Sequence, residues 1–422
     1  MKYRLGDICA IVKGETGITK AIPGPYTMIA LGETDKTHIE FQFDTKAVII
    51  PLVSSTGHGH ASMKRVKYCE GKFALGNILC AVIPKDENFV LAKYLHIYLH
   101  WNREELLVSQ MKGMANVSLP INRIADVMVT VPSIEKQREI IELEKKLVDK
   151  ELEADKLFAD QLTQLENLNQ AILQEAVQGK LIKQDPKDEP ASEFLKRIKA
   201  EKAKSGKKEK PLPPIKPSDI PFEIPENWVW CRLGEITNYG SSPKAEPADL
   251  KYDTWVLDLE DIEKTTSNLL CKIRFNERNS LSTKSVFKTG DVLYSKLRPY
   301  LDKVIVADED GVCTTEILPL KCFANLNPFY LKYTLKRADF LQYVNSKTKG
   351  MKMPRLGTKE GEMALIPLPP LSEQKRIVAE IEKQLAKTNQ LKEHIIANKQ
   401  ATEQLLKALL HQAFEVREME KI

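Results

Sequence analysis

The stretch Val131-Pro132-Ser133-Ile134-Glu135-Lys136-Gln137-Arg138-Glu139-Ile140-Ile141 recurs later in the chain as Leu368-Pro369-Pro370-Leu371-Ser372-Glu373-Gln374-Lys375-Arg376-Ile377-Val378, with Pro369, Leu371, Gln374 and Ile377 in step. The offset is 374 − 137 = 237 residues. Two further pairs keep it: Lys112-Gly113-Met114 with Lys349-Gly350-Met351, and Leu168–Ala176 with Leu405–Ala413. An earlier pair, Arg4-Leu5-Gly6-Asp7-Ile8 and Arg232-Leu233-Gly234-Glu235-Ile236, is separated by 232 − 4 = 228. Four matches in one order define a cassette that occurs twice, and the change of offset confines the length difference to its first part.

Each cassette changes character at its prolines. Before Pro132 and Pro370 the sequence mixes short apolar runs with Gly/Pro turns. Ala47–Val53, Gly76–Ile83, Trp255–Leu257 and Gly290–Tyr294 read as strands, and Val90–Val108 and Pro328–Val344 as helices. After the prolines, Ile134 to Val177 contains no Pro or Gly. Ile140, Leu143, Leu147, Ala154, Leu157, Leu165, Leu168 and Ile172 recur there at helical spacing, as do Ile377, Ile381, Leu385, Ile395, Leu405 and Leu409 in the second copy. Ser133 and Ser372 stand where N-caps belong. A helix of that length with one apolar stripe needs a partner, and the other copy supplies it as an antiparallel coiled coil. The expected fold is therefore α/β: two mixed α/β domains separated by two long antiparallel coiled-coil helices, with an internal pseudo-twofold repeat. The expected boundaries are a domain at 1–132, a helix at 133–182, a basic, proline-rich linker at 183–226, a second domain at 227–370 and a second helix at 371–422.

Of the bulk properties, 422 residues, 42% hydrophobic and 29% charged, suit a soluble protein of two or three domains. No apolar run approaches a bilayer-spanning length, and the N-terminus lacks the apolar core of a secretion signal. Seven cysteines, none in a Cys-x-x-Cys pair, read as reduced thiols of a cytoplasmic protein. The net charge of +5 comes from one place: Lys183 to Lys216 holds 11 Lys/Arg against 6 Asp/Glu. A nucleic-acid surface has to come from local basic patches instead.

Several motifs resemble one family. Pro370-Leu371-Ser372-Glu373-Gln374-Lys375-Arg376-Ile377-Val378 is similar to the start of the spacer helix in the specificity subunits of Type I restriction–modification systems. Trp228–Ile236 is similar to the opening of their target-recognition domains, Gly290–Pro299 to a central motif of those domains, and Ala171–Leu181 to the end of the first spacer. The resemblance covers essentially the whole chain. It implies two target-recognition domains that each read one half of a split, asymmetric target on double-stranded DNA. It also implies helices that act as a ruler and dock two modification (adenine methyltransferase) subunits, with restriction (translocase/endonuclease) subunits joining them. Two departures stand out: Lys136 occupies the place of Glu373, and the first domain lacks the Gly290–Pro299 motif, with Gly71–Asn77 in that general region.

The resemblance implies no catalytic residue, cofactor or metal in this chain, and the motifs agree. Asn327-Pro328-Phe329-Tyr330 lacks the second proline of an amino-methyltransferase motif and reads better as a helix start. Gly14–Lys20 lacks phosphate-loop spacing, and His58-Gly59-His60 has no ligand cluster beside it. DNA reading calls for cations to hold phosphates and polar side chains to touch base edges. Three segments fit: the polar loop Ser54–Lys67 with Lys64, Arg65 and Lys67; Ser295–Arg298 with Lys296 and Arg298 on one strand face; and Ser346–Arg355 with Lys347, Lys349, Lys352 and Arg355. Lys112 to Asn116 is the counterpart of the last in the first cassette. Two other function classes compete, a coiled-coil adaptor with two protein-binding heads and a self-contained DNA methyltransferase. The first leaves the duplicated heads and basic loops unexplained, and the second lacks a cofactor motif.

Overall fold

Both proline- and glycine-free stretches are helical throughout. Ile134–Val177 and Leu371–Phe414 are 44 residues each, about 66 Å at 1.5 Å per residue. The computed structural model describes residues 1–55, 60–113, 117–204, 211–278 and 281–415. The chain forms two compact units, one of Met1–Asp160 with the chain from Ile395, the other of Gln161–His394.

In the first unit, Lys2–Arg4 pairs antiparallel with Met128–Thr130, at the foot of the first long helix. An antiparallel sheet runs in the order Cys9–Lys13, Leu79–Pro84, Ala47–Pro51, Lys67–Cys69. A second sheet runs Lys36–His38, Tyr26–Ile29, Lys72–Leu75, Phe43–Asp44, with Tyr26–Ile29 parallel to Lys72–Leu75. Ala47–Pro51 is buried along its whole length, which is why its sequence is a continuous apolar run rather than an alternating one. Val48, Ile50 and Val82 share a core with Tyr94, Leu95 and Leu99 of the helix Ala92–Trp101. Ile140 of the first long helix joins that core with Leu406, Leu410 and Phe414 of the second, and Asp155 pairs with Lys399 at 3.1 Å. The two helical segments therefore run antiparallel here.

The second unit repeats the plan with additions. Val229–Arg232 pairs with Leu365–Leu368. A five-stranded sheet runs Lys244–Ala245, Lys284–Phe287, Gly311–Cys313, Trp255–Leu257, Ile273–Arg274, again with one parallel pair, Trp255–Leu257 beside Gly311–Cys313. A three-stranded sheet runs Val304–Val306, Val292–Ser295, Ile317–Leu320. Ile172, Leu173 and Ala176 pack with Ile377, Val378 and Ile381, and the Thr388 hydroxyl, itself buried, donates to Asn169 Oδ1 at 2.7 Å. These segments are antiparallel as well.

The repeated motifs turn out to be architectural clips. Leu5 N donates to Val127 O and Leu233 N to Ala364 O, both at 2.8 Å. A Cβ on Gly6 would lie 2.9 Å from Ala125 Cβ, and one on Gly234 would lie 3.0 Å from Glu362 Cβ, so glycine permits the same close approach in both heads. Tyr94 Oη donates to Thr130 O at 2.6 Å and Tyr330 Oη to Pro367 O at 2.7 Å. The buried Gln137 accepts from Leu91 N at 2.9 Å and donates to Phe89 O and Pro132 O. Gln374, also buried, accepts from Asn327 N at 3.0 Å and donates to Pro369 O at 3.1 Å. Each glutamine ties the start of a long helix to the loop ahead of the head's own helix, satisfying backbone groups that would otherwise be buried unpaired. Glu373 differs from Lys136 for a visible reason: buried Glu373 accepts from Trp228 Nε1 at 2.9 Å, whereas Lys136 pairs with Glu139 at the surface.

The structure corrects several expectations. Ser133 caps its helix, accepting from Lys136 N at 3.3 Å, but the second helix begins at Leu371, so Ser372 lies inside it and bonds to Asp188 instead. The helix expected over Val90–Val108 is broken into Ala92–Trp101 and Arg103–Leu106, and the one over Pro328–Val344 into Pro328–Leu335 and Ala338–Lys347. Part of the expected linker packs on the second head. The helix Ala191–Lys204 buries Phe194 and Ile198 in the second head's core, and Pro213 and Pro214 carbonyls accept from Arg232. Of the expected apolar stripe, Leu157, Leu168, Leu405 and Leu409 are exposed, while Leu173, Leu406, Leu410 and Phe414 carry the packing. Periodicity alone does not choose among apolar positions when a helix carries more of them than one seam can cover.

Candidate nucleic-acid interface

In each head the buried central strand runs out into a loop, and the glycine hairpin that follows the head's helices folds back onto it. Leu119 N donates to Leu52 O and Leu356 N to Lys296 O, both at 2.9 Å; Ser54 N donates to Val117 O at 3.0 Å and Arg298 N to Pro354 O at 2.8 Å. Ser54 and Arg298 thus hold the same place, at an offset of 298 − 54 = 244. The counterpart of Gly290–Pro299 is Lys46–Ser55. The segment Gly71–Asn77 does another job, with Gly71 turning at φ 82° into the strand Lys72–Leu75. The motif was hidden in the first head because burial of that strand requires only apolar residues, not the same ones.

The loop lengths differ. Val48 pairs with Tyr68 and Val292 with Val306, an offset of 306 − 68 = 238, so the first head's loop is longer by 244 − 238 = 6 residues. The hairpin closes in the same way in both: Lys112 and Ser118 exchange backbone hydrogen bonds at 2.9 Å, Lys349 and Arg355 at 3.1 and 3.0 Å. Gly113 and Gly350 turn it, at φ 130° and 101°, where a side chain is disfavoured.

The expected site residues fall into distinct environments. Lys64, Lys112, Lys347 and Lys352 are exposed, with no side-chain partner among the described residues. Lys349 is 83% exposed and pairs with Glu360 at 3.2 Å; Arg65 pairs with Glu33 at 2.9 Å. Arg355 makes a two-pronged contact with Glu316, Nε to Oε2 at 3.0 Å and Nη2 to Oε1 at 3.0 Å, which raises its already high pKa. Lys67 is different: its ammonium donates to Ala30 O, Gly32 O and Asp35 Oδ1 at 2.9, 3.1 and 2.6 Å. All three of its donors are engaged, so Lys67 braces a turn. Lys296 and Arg298 do not extend a strand face, because the strand ends at Ser295. Leu297 between them is buried, and Arg298 has left-handed backbone, φ 48°. Asn116, like Thr56–Gly59 of the loop with His58, lies outside the described residues. The hairpin brings Lys296, Arg298, Lys349, Lys352 and Arg355 to one place through the Leu297–Arg355 bridge, which the sequence kept fifty residues apart. Tyr300 and Met351, neither among the expected site residues, are both exposed here, the latter completely.

Behind the loops stand side chains that no sequence pattern singles out. In the second head Lys336, on the residues just after Pro328–Leu335, is buried, and its ammonium donates to Thr265 O at 2.8 Å, Ser267 Oγ at 2.8 Å and Asp302 Oδ2 at 2.6 Å. Burial pushes the Asp302 carboxyl up to about 6 despite Lys336 and pulls Lys336 down. We take the pair as ionised, since the 2.6 Å contact is charge-assisted and buried cations need such a partner. In the first head His96 Nε2 meets Val66 O at 3.0 Å, Val66 N donates to His100 Nδ1 at 3.4 Å, and Arg103 Nε donates to Met63 O at 2.9 Å. Burial lowers both histidines to about 4. Asn327 caps Pro328–Leu335, its Oδ1 accepting from Phe329 N at 2.9 Å, so Asn-Pro-Phe-Tyr is a helix start.

Comparison with known proteins agrees with this architecture. The chain belongs to the Type I restriction modification DNA specificity domain family, whose model matches residues 1–176 and 225–398. It is 36% identical over 274 residues to the Type I restriction enzyme EcoAI specificity subunit of Escherichia coli, covering 60% of this chain and 45% of that protein. With the EcoDI specificity subunit of Escherichia coli it shares 26% over 412 residues, 97% of this chain and 86% of that one. The chain spans about half the length of the first relatives it matches, 45% for EcoAI and 46% for EcoEI. Among solved structures, a chain from work on complex assembly and conformational transition of the type I R-M system superposes with TM-score 0.64 at 18% identity, over 99% of this chain and 97% of that one. The HsdS subunit from Thermoanaerobacter tengcongensis does so with TM-score 0.51 at 17% identity, over 99% and 96%. At such identities these two share the fold.

Proposed function

We propose that this chain is the non-catalytic, sequence-reading specificity subunit of a Type I restriction–modification complex. Each head reads one half of a bipartite, asymmetric site on double-stranded DNA. Two modification (adenine methyltransferase) subunits dock on it, restriction subunits join that core, and the chemistry resides in those partners. The observation that carries this reading is the element found in both heads: a loop off the central strand, clasped by a lysine-bearing glycine hairpin. The frame is the same in each, but the loop differs in length and in side chains, as two readers of different half-sites require. Lys64, Lys112, Lys296, Arg298, Lys347, Lys349 and Lys352 are the proposed phosphate and base contacts. Arg65 and Arg355 join them by exchanging a surface carboxylate, a weak pairing in water, for a phosphate. Exposed leucines on the long helices, Leu152, Leu157 and Leu405, suit the docking of protein partners. Among the described residues no helix is long and apolar enough to cross a membrane, and a cytoplasmic setting fits the role. The test is selection of bound duplexes from a random pool by the full chain, followed by nuclease protection. Two protected, dissimilar half-sites with an unread gap are expected. Failure to retain any DNA sequence above the pool would overturn the reading in favour of an adaptor with protein-binding heads.

A further inference from the structure

The side chains behind the loops occupy equivalent places. Tyr94 and Tyr330, which make the same hydrogen bond in the two heads, are 330 − 94 = 236 residues apart. The same offset pairs His96 with Lys332 and His100 with Lys336. At that second position each head has a side chain, half-buried for His100 and buried for Lys336, that grasps the loop leaving the central strand. The chemistry is opposite. In the first head two uncharged imidazoles and Arg103 hold the backbone of Met63 and Val66, at the end of the longer loop. In the second an ammonium holds Asp302 and, through Ser267, a neighbouring turn: Ser267 Oγ accepts from Val304 N at 3.1 Å and donates to Asp302 O at 2.7 Å. The shorter loop is held in a conformation it would not choose alone. Arg298 and Asp302 flank its helical turn with φ of 48° and 50°, and Thr265 and Ser267 in the neighbouring turn have 67° and 59°. Left-handed backbone is disfavoured for a non-glycine residue, so the surrounding contacts have to enforce it. Lys336 touches three of those four residues directly.

We infer that Lys336 in the second head, and His96 and His100 in the first, are positioning residues for sequence readout: Lys336 fixes its loop in the shape that presents side chains to the bases, and the two histidines anchor Val66, where the first head's loop returns to its strand. This rests on the proposed DNA-reading function and goes a step further. None of the three needs to touch DNA, yet each sets which bases its head accepts. Loop and helix residue form a matched set, so a loop moved between heads keeps its preference only if its helix residue moves with it.

The full chain carrying Lys336→Met is compared with the parent in selection from a random duplex pool, alongside salt titration of binding. The expected result is a second half-site whose base preferences relax by tenfold or more, a first half-site unchanged, and a salt dependence unchanged because no phosphate contact is removed. Ser267→Ala, which trims one acceptor and spares the Lys336–Asp302 pair, keeps the test decisive should Lys336→Met fail to fold; it should relax the same half-site by a smaller factor. His100→Phe is expected to relax only the first half-site. A parent that selects a bipartite site beside folded variants with its base preferences intact would overturn this inference alone. A parent that selects nothing would overturn the DNA-reading function itself.

Discussion

Gln374→Leu removes the clip between the second long helix and its head while nearly preserving side-chain volume. Gln374 is fully buried. Its amide oxygen accepts from Asn327 N at 3.0 Å and its amide nitrogen donates to Pro369 O at 3.1 Å. Leucine leaves both backbone groups buried without a partner, and each orphan costs about 1–3 kcal/mol. The loss extends further, because Asn327 is also the N-cap of Pro328–Leu335, and loosening a cap costs about 1 kcal/mol. A destabilisation of the second unit by about 3–7 kcal/mol follows. Gln137→Leu orphans three groups, Leu91 N, Phe89 O and Pro132 O, so the first unit should lose at least as much. Urea unfolding followed by tryptophan fluorescence separates the two, since Trp228, Trp230 and Trp255 lie in the second unit and Trp101 in the first. The surface change Lys136→Gln serves as the control. A Gln374→Leu protein whose second-unit transition lies within about 0.5 kcal/mol of the parent's, inside the range of ordinary surface changes, would refute the clip argument.

His96 and His100 have folded-state pKa values lowered to about 4, below the ordinary 6.5. The unfolded chain binds those protons first, so the stability is intact above pH 6.5 and is lost as pH falls toward 4. The first unit should weaken by up to about 1.4 kcal/mol per pH unit for each histidine, and abolition of that slope by His96→Gln/His100→Gln is the check. Replacing Lys347, Lys349 and Lys352 together by glutamine should lower the slope of log binding constant against log salt by about 3; an unchanged slope in filter binding would remove the hairpin from the DNA surface. The pure chain should transfer no methyl group, and the motif methylated in cells carrying its partners should have dissimilar halves; methyl transfer by the chain alone, or inverted identical halves, speaks against the proposed role. Four residues inserted after Gln161 add about 6 Å of helix and a net turn of only about 40°. They should widen the gap between half-sites by one or two base pairs, which methylome sequencing reads directly, and leave both halves as they were.

The sequence by itself determined the cassette, its duplication and its two long helices. Those signals are local and periodic: Pro132 and Pro370 mark the change, and forty residues without Pro or Gly leave the chain little else to be. It also pointed to the basic hairpin, because Lys112-Gly113 and Lys349-Gly350 repeat at the offset of the helices. What only the tertiary structure decided was what each repeated residue is for. Gln137 and Gln374 read as family signatures and prove to be buried clips, since a hydrogen bond to a backbone carbonyl far along the chain leaves no pattern in neighbouring residues. Lys64 and Lys67 look alike in sequence, yet one is exposed and the other has every donor engaged by Ala30, Gly32 and Asp35. The match of Lys46–Ser55 to the motif at Gly290–Pro299 was illegible because burial constrains polarity and size but not identity. Lys336, His96 and His100 were invisible for the same reason. They act on loops that folding brings to them, and that meeting is a property of three-dimensional packing, not of sequence spacing.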